Sequence, residues 1–335
     1  MALLSMLAFV GLISWLGTWG LRTYALRRSI LDIPNQRSSH STPTPRGGGM
    51  AIVLSFLLTL PLLVVGGWLS SALAVALLVG GGAVALVGFL DDHGHIPARW
   101  RLLSHFLSAA WALYWLGGLP VLQLGNSVLS LGWLGVPLGV LYLVWLLNLY
   151  NFMDGIDGIA AVEAITVCLG AAVIALWVDS WQLALLPTLL ATAVSGFLYW
   201  NFPPAKIFMG DAGSGFLGFI LGVLSLSMAW VQPQLLFSWL ILLGVFLVDA
   251  SWTLMRRLLR GEKVYEAHRS HAYQNASRLV GRHLPVTLVV ALINLFWLLP
   301  LAIWAALGGN AVLLLVVAYL PLLGLAFKYR AGLAE

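Results

Sequence analysis

Hydrophobic residues run along this chain in long, nearly unbroken stretches separated by short polar segments. Eleven stretches approach the ~20 apolar residues with which a helix crosses a bilayer. They lie at about 3–23, 48–68, 70–90, 103–118, 133–151, 159–178, 183–199, 214–231, 236–255, 285–305 and 311–327. Short segments alternating between apolar and polar residues, the mark of a transmembrane barrel, are absent. The pattern predicts an all-α, polytopic integral membrane protein of about 11 transmembrane helices, forming a single domain over residues 1–335.

Composition supports the pattern. Of 335 residues, 61% are hydrophobic and 9% are charged, whereas a soluble domain carries roughly a quarter charged residues. Cys168 is the one cysteine, so no intrachain disulfide can form. The formal charge of +5 is informative by position. Alternation of the spans puts residues 24–47, 91–102, 152–158, 200–213, 256–284 and 328–335 on one side, and 16 of the 17 Lys and Arg fall there, with Arg22 at the adjoining end of the first stretch. Basic loops mark the cytoplasm, not a nucleic-acid partner. The N-terminus is then periplasmic and the C-terminus cytoplasmic. No basic residue precedes the first apolar run, and Arg22, Arg27 and Arg28 follow it; a secretory signal has the reverse order, so the segment reads as a retained helix. Among charged residues the opposite loops hold only Asp179, and Trp68, Trp115, Trp133, Trp177, Trp181 and Trp230 near them read as interfacial anchors.

The acids group at the basic side. Asp91 and Asp92 are adjacent in GFLDDHGHIPARWR, where like charges at a helix end are unfavourable without a cation. Magnesium suits such a pair, since it takes a few carboxylates and completes its shell with water and phosphate oxygens. In NLYNFMDGIDGIA, Asn148, Asn151, Asp154 and Asp157 recur every third residue and would form one polar stripe if helical. Asp211 lies in the glycine turn GDAGSG, at Gly210, opening a long apolar helix whose free N–H groups suit a phosphate. Phe208 offers a ring for stacking on a base, and Lys206 either meets a phosphate or snorkels. His268 and His271, with Arg257, Arg260, Lys263, Arg269 and Arg278 around them, form a candidate anion clamp or a lipid-headgroup contact. Two histidines without cysteines do not make a structural zinc site. Asp249 lies inside the ninth stretch, and Asp32, Glu262 and Glu335 read as solvated or paired with local Arg. These features converge on one membrane surface and imply chemistry between a phosphorylated cytosolic molecule and a molecule dissolved in the bilayer.

The motifs IPNQRSSHSTPTPRGGG at 33–49, FLDDHG, NLYNFMDGIDG, NFPPAKIFMGDAGSGFLG and the His268–His271 loop occur in order along most of the chain. In this they resemble the polyprenyl-phosphate N-acetylhexosamine-1-phosphate transferases of glycosyltransferase family 4. PNQRSSHSTPTPRGGG and HRSHAYQ look most like the O-antigen initiating branch. The resemblance implies transfer of N-acetylhexosamine-1-phosphate from a uridine-diphosphate sugar (N-acetylglucosamine, N-acetylfucosamine or N-acetylquinovosamine type) to undecaprenyl phosphate, with release of uridine monophosphate. That reaction would start O-antigen or related glycan synthesis at the cytoplasmic face of the bacterial inner membrane. By resemblance, Asp91 contacts or deprotonates the lipid phosphate, and Asp92 with Asp211 holds magnesium, for which manganese could substitute. Asn151 and Asp154 line the cleft, and Asn148 belongs to the substrate site. Asp157 contacts the uracil and Phe208 stacks on it. His268, Arg269 and His271 grip the diphosphate or sugar, and a homodimer is compatible with the family. Two departures, His268-Arg269-Ser270-His271-Ala272 for a run of adjacent histidines and His40–Arg46 for an upstream lysine, argue against a muramoyl-pentapeptide substrate. The rival class is a lipid-linked substrate transporter or flippase, which should place polar groups at the midplane and on both faces.

Overall fold

The computed structural model describes residues 2–34, 42–94, 96–125, 127–262 and 268–333. Each of the eleven stretches is helical, but not all are plain spans. Among the described residues eight helices are long and apolar enough to cross a membrane, or nine if Leu235–Leu242 and Gly244–Leu259, bent by 71° at Leu243, count as one broken span. Two stretches expected as spans fall short by length and composition. The apolar run from Gly49 is split into Gly49–Leu57 and Leu60–Val65, with Pro61 opening the second piece. Ala98–Leu116 carries Arg99 and Arg101 in its first turn. Two further helices pass through π-helical turns, Ala76–Gly81 before Gly82–His93 and Asn294–Leu298 after His283–Ile293. In the polar 256–284 segment lies a short amphipathic helix, Ala272–Val280.

The Asp211–Val231 helix is the most enclosed of the candidate spans, with 83% of its apolar window buried. It packs against Gly135–Phe152 and Gly82–His93. Lipid is as apolar as a leucine side chain, so helices associate through close packing at small residues. Gly88 shows the effect: a Cβ there would lie 2.5 Å from the Ala212 nitrogen. Gly49 meets the Gly213 backbone in the same way. These contacts draw the ends of three helices onto the start of the fourth. Leu31–Asp32 pairs antiparallel with Thr44–Pro45, and that strand continues into a second pairing, with Phe208 N–H donating to Pro45 O (2.8 Å) and Gly48 N–H to Phe208 O (3.0 Å). The segments that carry the polar motifs are thereby tied together at one end of the bundle.

Candidate active site

Asp91 and Asp92 end the Gly82–His93 helix, and their carboxylates diverge. Asp92 is turned onto the start of the Asp211–Val231 helix: Asp211 N–H donates to Oδ1 (3.1 Å) and Ala212 N–H to Oδ2 (3.3 Å). The first N–H groups of a helix have no internal partner, and an anion there is favoured by the helix dipole. Gly210, at φ 78°, leaves room for this cap, since its Cβ would lie 2.5 Å from Asp92 Oδ2. Arg46 steadies the acid-bearing end from the other side. Its Nε and Nη2 donate to Asp92 O at 3.1 and 2.5 Å, while Nε lies 3.8 Å from Oδ1.

Asp91 receives the Ile96 N–H at 2.7 Å and pairs with Arg101. The same Arg101 Nη1 reaches Asp211 Oδ2 at 3.2 Å. Asn151 joins from the Gly135–Phe152 helix, its Nδ2 donating to Asp211 Oδ1 (2.9 Å) and Ser214 Oγ (2.8 Å). Asp211 is the open member: its side chain is 38% exposed, against 9% for Asp91 and 2% for Asp92. Asn148, one turn before Asn151, contacts His105 and donates to Val144 O at 2.7 Å. A void of about 20 Å³ lies between Arg101, His105, Asn148, Asn151 and Asp211, enough for one water. Arg101 Nε and His105 Nδ1 are buried without a protein partner.

The expected three-residue stripe divides in the structure. Asn148 and Asn151 are helical, but the helix ends at Phe152, and Asp154 and Asp157 belong to the turn before Ile159–Trp177. Gly155 is required in that turn, because a Cβ would collide with the Tyr273 hydroxyl. Burial, then the negative charges of Asp211, Asp92 and Asp157, push the Asp154 carboxyl up to about 7. Asp157 points elsewhere: Oδ2 accepts from Ala205 N–H (3.0 Å), and Oδ1 lies 3.1 Å from His283 Nδ1. With Phe208, Pro203, Thr44 and Arg282 it lines a cavity of about 450 Å³, roomy enough for a nucleoside-sized ligand.

His271 and His268 stack with ring centroids 4.8 Å apart. Their placement comes from Asp249, whose role the sequence left open. Asp249 accepts the N–H groups of Ala272 (2.9 Å) and Tyr273 (3.0 Å), the hydroxyl of Thr253 (3.1 Å), and faces His271 Nδ1 at 3.3 Å. It caps the Ala272–Val280 helix, whose Tyr273 hydroxyl donates to Phe152 O at 3.0 Å and so docks the histidine segment beside the Asp154 turn. Arg278 donates to Arg269 O (3.2 Å) within this segment. Lys206 stands apart from the acids: its ammonium lies 5.4 Å from the ring centroids of both Tyr199 and Trp200. Glu262 is paired with Arg257 (2.8 Å) and Arg260 (3.3 Å), and the Arg257 hydrogen bond holds its carboxyl below the usual range. His40, Lys263 and Glu335 lie outside the described residues.

The structure thus gathers Asp91, Asp92, Asn151, Asp154 and Asp211 into one acidic centre, with the Asp157–Phe208 cavity and the His268–His271 segment on its flanks. Arg46, Arg101, His105 and His283 also belong there, and sequence reasoning passed over them as site residues. The available signal was Arg101 and His105, four apart on one face of an otherwise apolar helix. Among the described residues no three His, Cys, Asp or Glu side chains cluster as a ready-made metal cage. Magnesium does not need one, because it binds through one or two carboxylates plus substrate phosphates. The residues fit such an ion: Asp92 and Asp211 meet at the helix start, and a positive charge, the Arg101 nitrogen, already lies against the more open Asp211.

Comparison with known proteins points to one family. Residues 74–229 match the family model described as Glycosyl transferase family 4. The chain is 30% identical over 284 residues to a probable undecaprenyl-phosphate N-acetylglucosaminyl 1-phosphate transferase of Bacillus subtilis, covering 81% of this chain and 76% of the relative. A decaprenyl-phosphate N-acetylglucosaminephosphotransferase of Mycobacterium tuberculosis is 29% identical over 326 residues, 85% of this chain and 79% of its own. An undecaprenyl-phosphate alpha-N-acetylglucosaminyl 1-phosphate transferase of Thermotoga maritima is 25% identical over 302 residues, 87% and 88% of the two chains.

Proposed function

We propose, from the premise that this chain belongs to glycosyl transferase family 4, that it transfers an N-acetylhexosamine-1-phosphate from a uridine-diphosphate sugar to undecaprenyl phosphate and releases uridine monophosphate. The observation that carries the reading is the meeting of Asp91, Asp92, Asn151 and Asp211, drawn from three separate helices, with each of the other three linked to Asp211 directly or through one Arg101 nitrogen. The activities for which these relatives are named support N-acetylglucosamine as the sugar; the N-acetylfucosamine and N-acetylquinovosamine nucleotides are the alternatives, and starting O-antigen or a related surface glycan is the role. The active centre faces the cytoplasm of the inner membrane, where the basic loops lie.

Asp211, with Asp92 beside it, would hold magnesium, which when bound neutralises charge on the diphosphate as it is displaced. The remaining work belongs to the chain. A phosphate monoester has its second pKa at about 6, so the lipid phosphate is already a nucleophile near neutrality. Asp91, clamped by Arg101 and the Ile96 N–H, orients that phosphate and has little proton to remove. Asn151 fixes the Asp211 carboxylate through Oδ1 and leaves Oδ2 toward Arg101. Phe208 and Asp157 receive the uridine in the cavity they share. His268 and His271 stand over the sugar diphosphate, held there by Asp249. The phosphate oxygen attacks the phosphorus that bears the sugar, that bond forms as the bond to uridine monophosphate breaks, and one diphosphate replaces another.

The test uses the purified protein with undecaprenyl phosphate, magnesium and a panel of uridine-diphosphate N-acetylhexosamines, with uridine monophosphate release as readout. Release should need both lipid and metal and fall by roughly 10³-fold in Asp211→Asn, the scale of losing a preorganised charge at the reacting centre. Folded protein that releases nothing with any donor would sink the assignment.

A further inference from the structure

One fully buried carboxyl takes no part in the chemistry above. Glu163, on the Ile159–Trp177 helix, is fully buried. Its Oε2 accepts from Asn294 Nδ2 at 2.7 Å, and the same amide donates to Thr166 Oγ1 at 2.7 Å. Asn294 opens the π-helical turn Asn294–Leu298 of a neighbouring helix. The carboxyl also takes the backbone N–H of Phe246 as a partner. Phe246 lies in the first turn of Gly244–Leu259, immediately past the 71° break at Leu243. A break inside a membrane exposes N–H groups that lipid cannot satisfy, and a side-chain acceptor at the third helical position is the usual remedy at a helix start. Glu163 supplies that acceptor from a different helix.

The network is an odd one to keep for stability alone. Glu163 Oε1 and Asn294 Oδ1 are buried without a partner of full hydrogen-bond geometry, and such groups destabilise a fold. An ionisable residue at membrane depth is more often kept for function. What lies downstream indicates which. Asp249 follows Phe246 by three residues on the same short helix and holds Ala272, Tyr273 and His271. The direction of the broken helix therefore sets where the histidine segment sits.

We propose that Glu163 is a positioning residue: with Asn294 it fixes the direction of the Gly244–Leu259 helix at its break, and through Asp249 the placement of the His268–His271 segment over the sugar diphosphate. The last step rests on the transferase reading; the first two do not.

Three variants test it: Glu163→Leu, which removes every polar contact; Glu163→Asp, which keeps the carboxyl group and shortens the reach; and Glu163→Gln, whose oxygen can accept from Phe246 while its NH2 donates to Asn294 Oδ1. Backbone hydrogen exchange over residues 272–280 reads the placement without any turnover. Exchange there should rise in the Leu and Asp variants and return to the wild-type level in Gln. Steady-state kinetics with UDP-N-acetylglucosamine and undecaprenyl phosphate then locates the effect. The KM for the sugar nucleotide should rise roughly tenfold in Leu and Asp, the scale of one lost buried hydrogen bond, with the lipid KM within about twofold. Should Leu not fold, Asp against Gln gives the same comparison. Unchanged exchange over 272–280 in the Asp variant overturns the proposal, as does a rise in both KM values together, which marks general loosening. A wild type inactive with every donor refutes the transferase reading instead and leaves the exchange result standing.

Discussion

Asp92 and Asp249 perform the same mechanical task in two regions of the molecule. Each places both carboxylate oxygens on the first N–H groups of a helix that follows in the chain, Asp92 on Asp211–Val231 and Asp249 on Ala272–Val280. Their surroundings differ in sign. Asp249 looks onto Thr253 and His271, a hydroxyl and an imidazole that both favour a carboxylate. Asp92 is surrounded by acids, with Asp91 adjacent and Asp211 on the helix it caps. A cap chosen for stability would resemble Asp249. The cap at Asp92 carries a repulsion that Arg46, 3.8 Å from its carboxylate, offsets only in part, and the simplest reason for it is a cation that arrives with substrate. One carboxylate is scaffold, the other is half of a site.

The widest separation of the two comes from deleting each. Asp249→Ala leaves the Ala272 and Tyr273 N–H groups and His271 unpartnered in a buried place, and should cost about 2–3 kcal/mol of stability. Asp92→Ala uncaps two N–H groups as well, but it also removes one charge from the acidic centre. Its cost in the metal-free protein should be smaller, about 1 kcal/mol, while turnover is lost. Thermal unfolding in detergent with magnesium chelated measures both. If Asp92→Ala proves as destabilising as Asp249→Ala, the repulsion assigned to the first region is absent.

How much of this was legible beforehand follows the same division. The apolar stretches could be read because lipid imposes a length on them, and the acids because few acids occur in such a chain and six of them gather at one surface. What the stretches conceal is where helices break. Nothing in the run around Leu243 separates a broken span from a straight one, since the break is stabilised from another helix, by Glu163. Asp249 stayed without a role for the same reason: its partners are backbone N–H groups 23 and 24 residues on, and backbone donors leave no mark in a sequence. The Asn148-to-Asp157 stripe failed beyond Phe152 because Gly155 and Gly158 end the helix there. Lys206, a balanced choice between phosphate and snorkelling, lies over Tyr199 and Trp200, at the end of its own preceding helix.

A second way to sharpen the contrast uses pH. Asp154 has its carboxyl pushed from the ordinary 3.8 to about 7 by burial and by Asp211, Asp92 and Asp157. In the unfolded chain it ionises near 4, so between about 4 and 7 the folded state holds a proton that the unfolded state has released. Stability from this group therefore falls as pH rises through that window and is lowest above 7. A divalent cation replaces the proton as the neutralising charge. Saturating magnesium should accordingly raise the melting temperature by several degrees more at pH 8 than at pH 5.5. Asp249 faces Thr253 and His271 and not the acidic centre, so Asp249→Ala should show the same magnesium-by-pH pattern from a lower baseline. Equal magnesium shifts at the two pH values would leave the acidic centre without its cation.

The smallest expected effect is also the most specific to one residue. Arg101 holds Asp91 and Asp211 with one nitrogen, and so occupies the Asp211 carboxylate that would hold the cation. Its guanidinium is always charged, so in the free protein it competes with magnesium for the same oxygens. Binding of the ion must displace that nitrogen, and the energy of breaking the contact is subtracted from the affinity. Arg101→Gln removes the competitor while preserving length and some hydrogen bonding. Magnesium measured by calorimetry on the lipid-free protein should then bind roughly three- to tenfold tighter, the scale of one partly exposed charge pair, even as turnover falls for want of a cation near the lipid phosphate. Tighter metal with slower chemistry is a combination that mere loss of folding does not produce. Weaker magnesium binding in Arg101→Gln would mean that the arginine organises the Asp211 carboxylate for the ion and does not stand in its place.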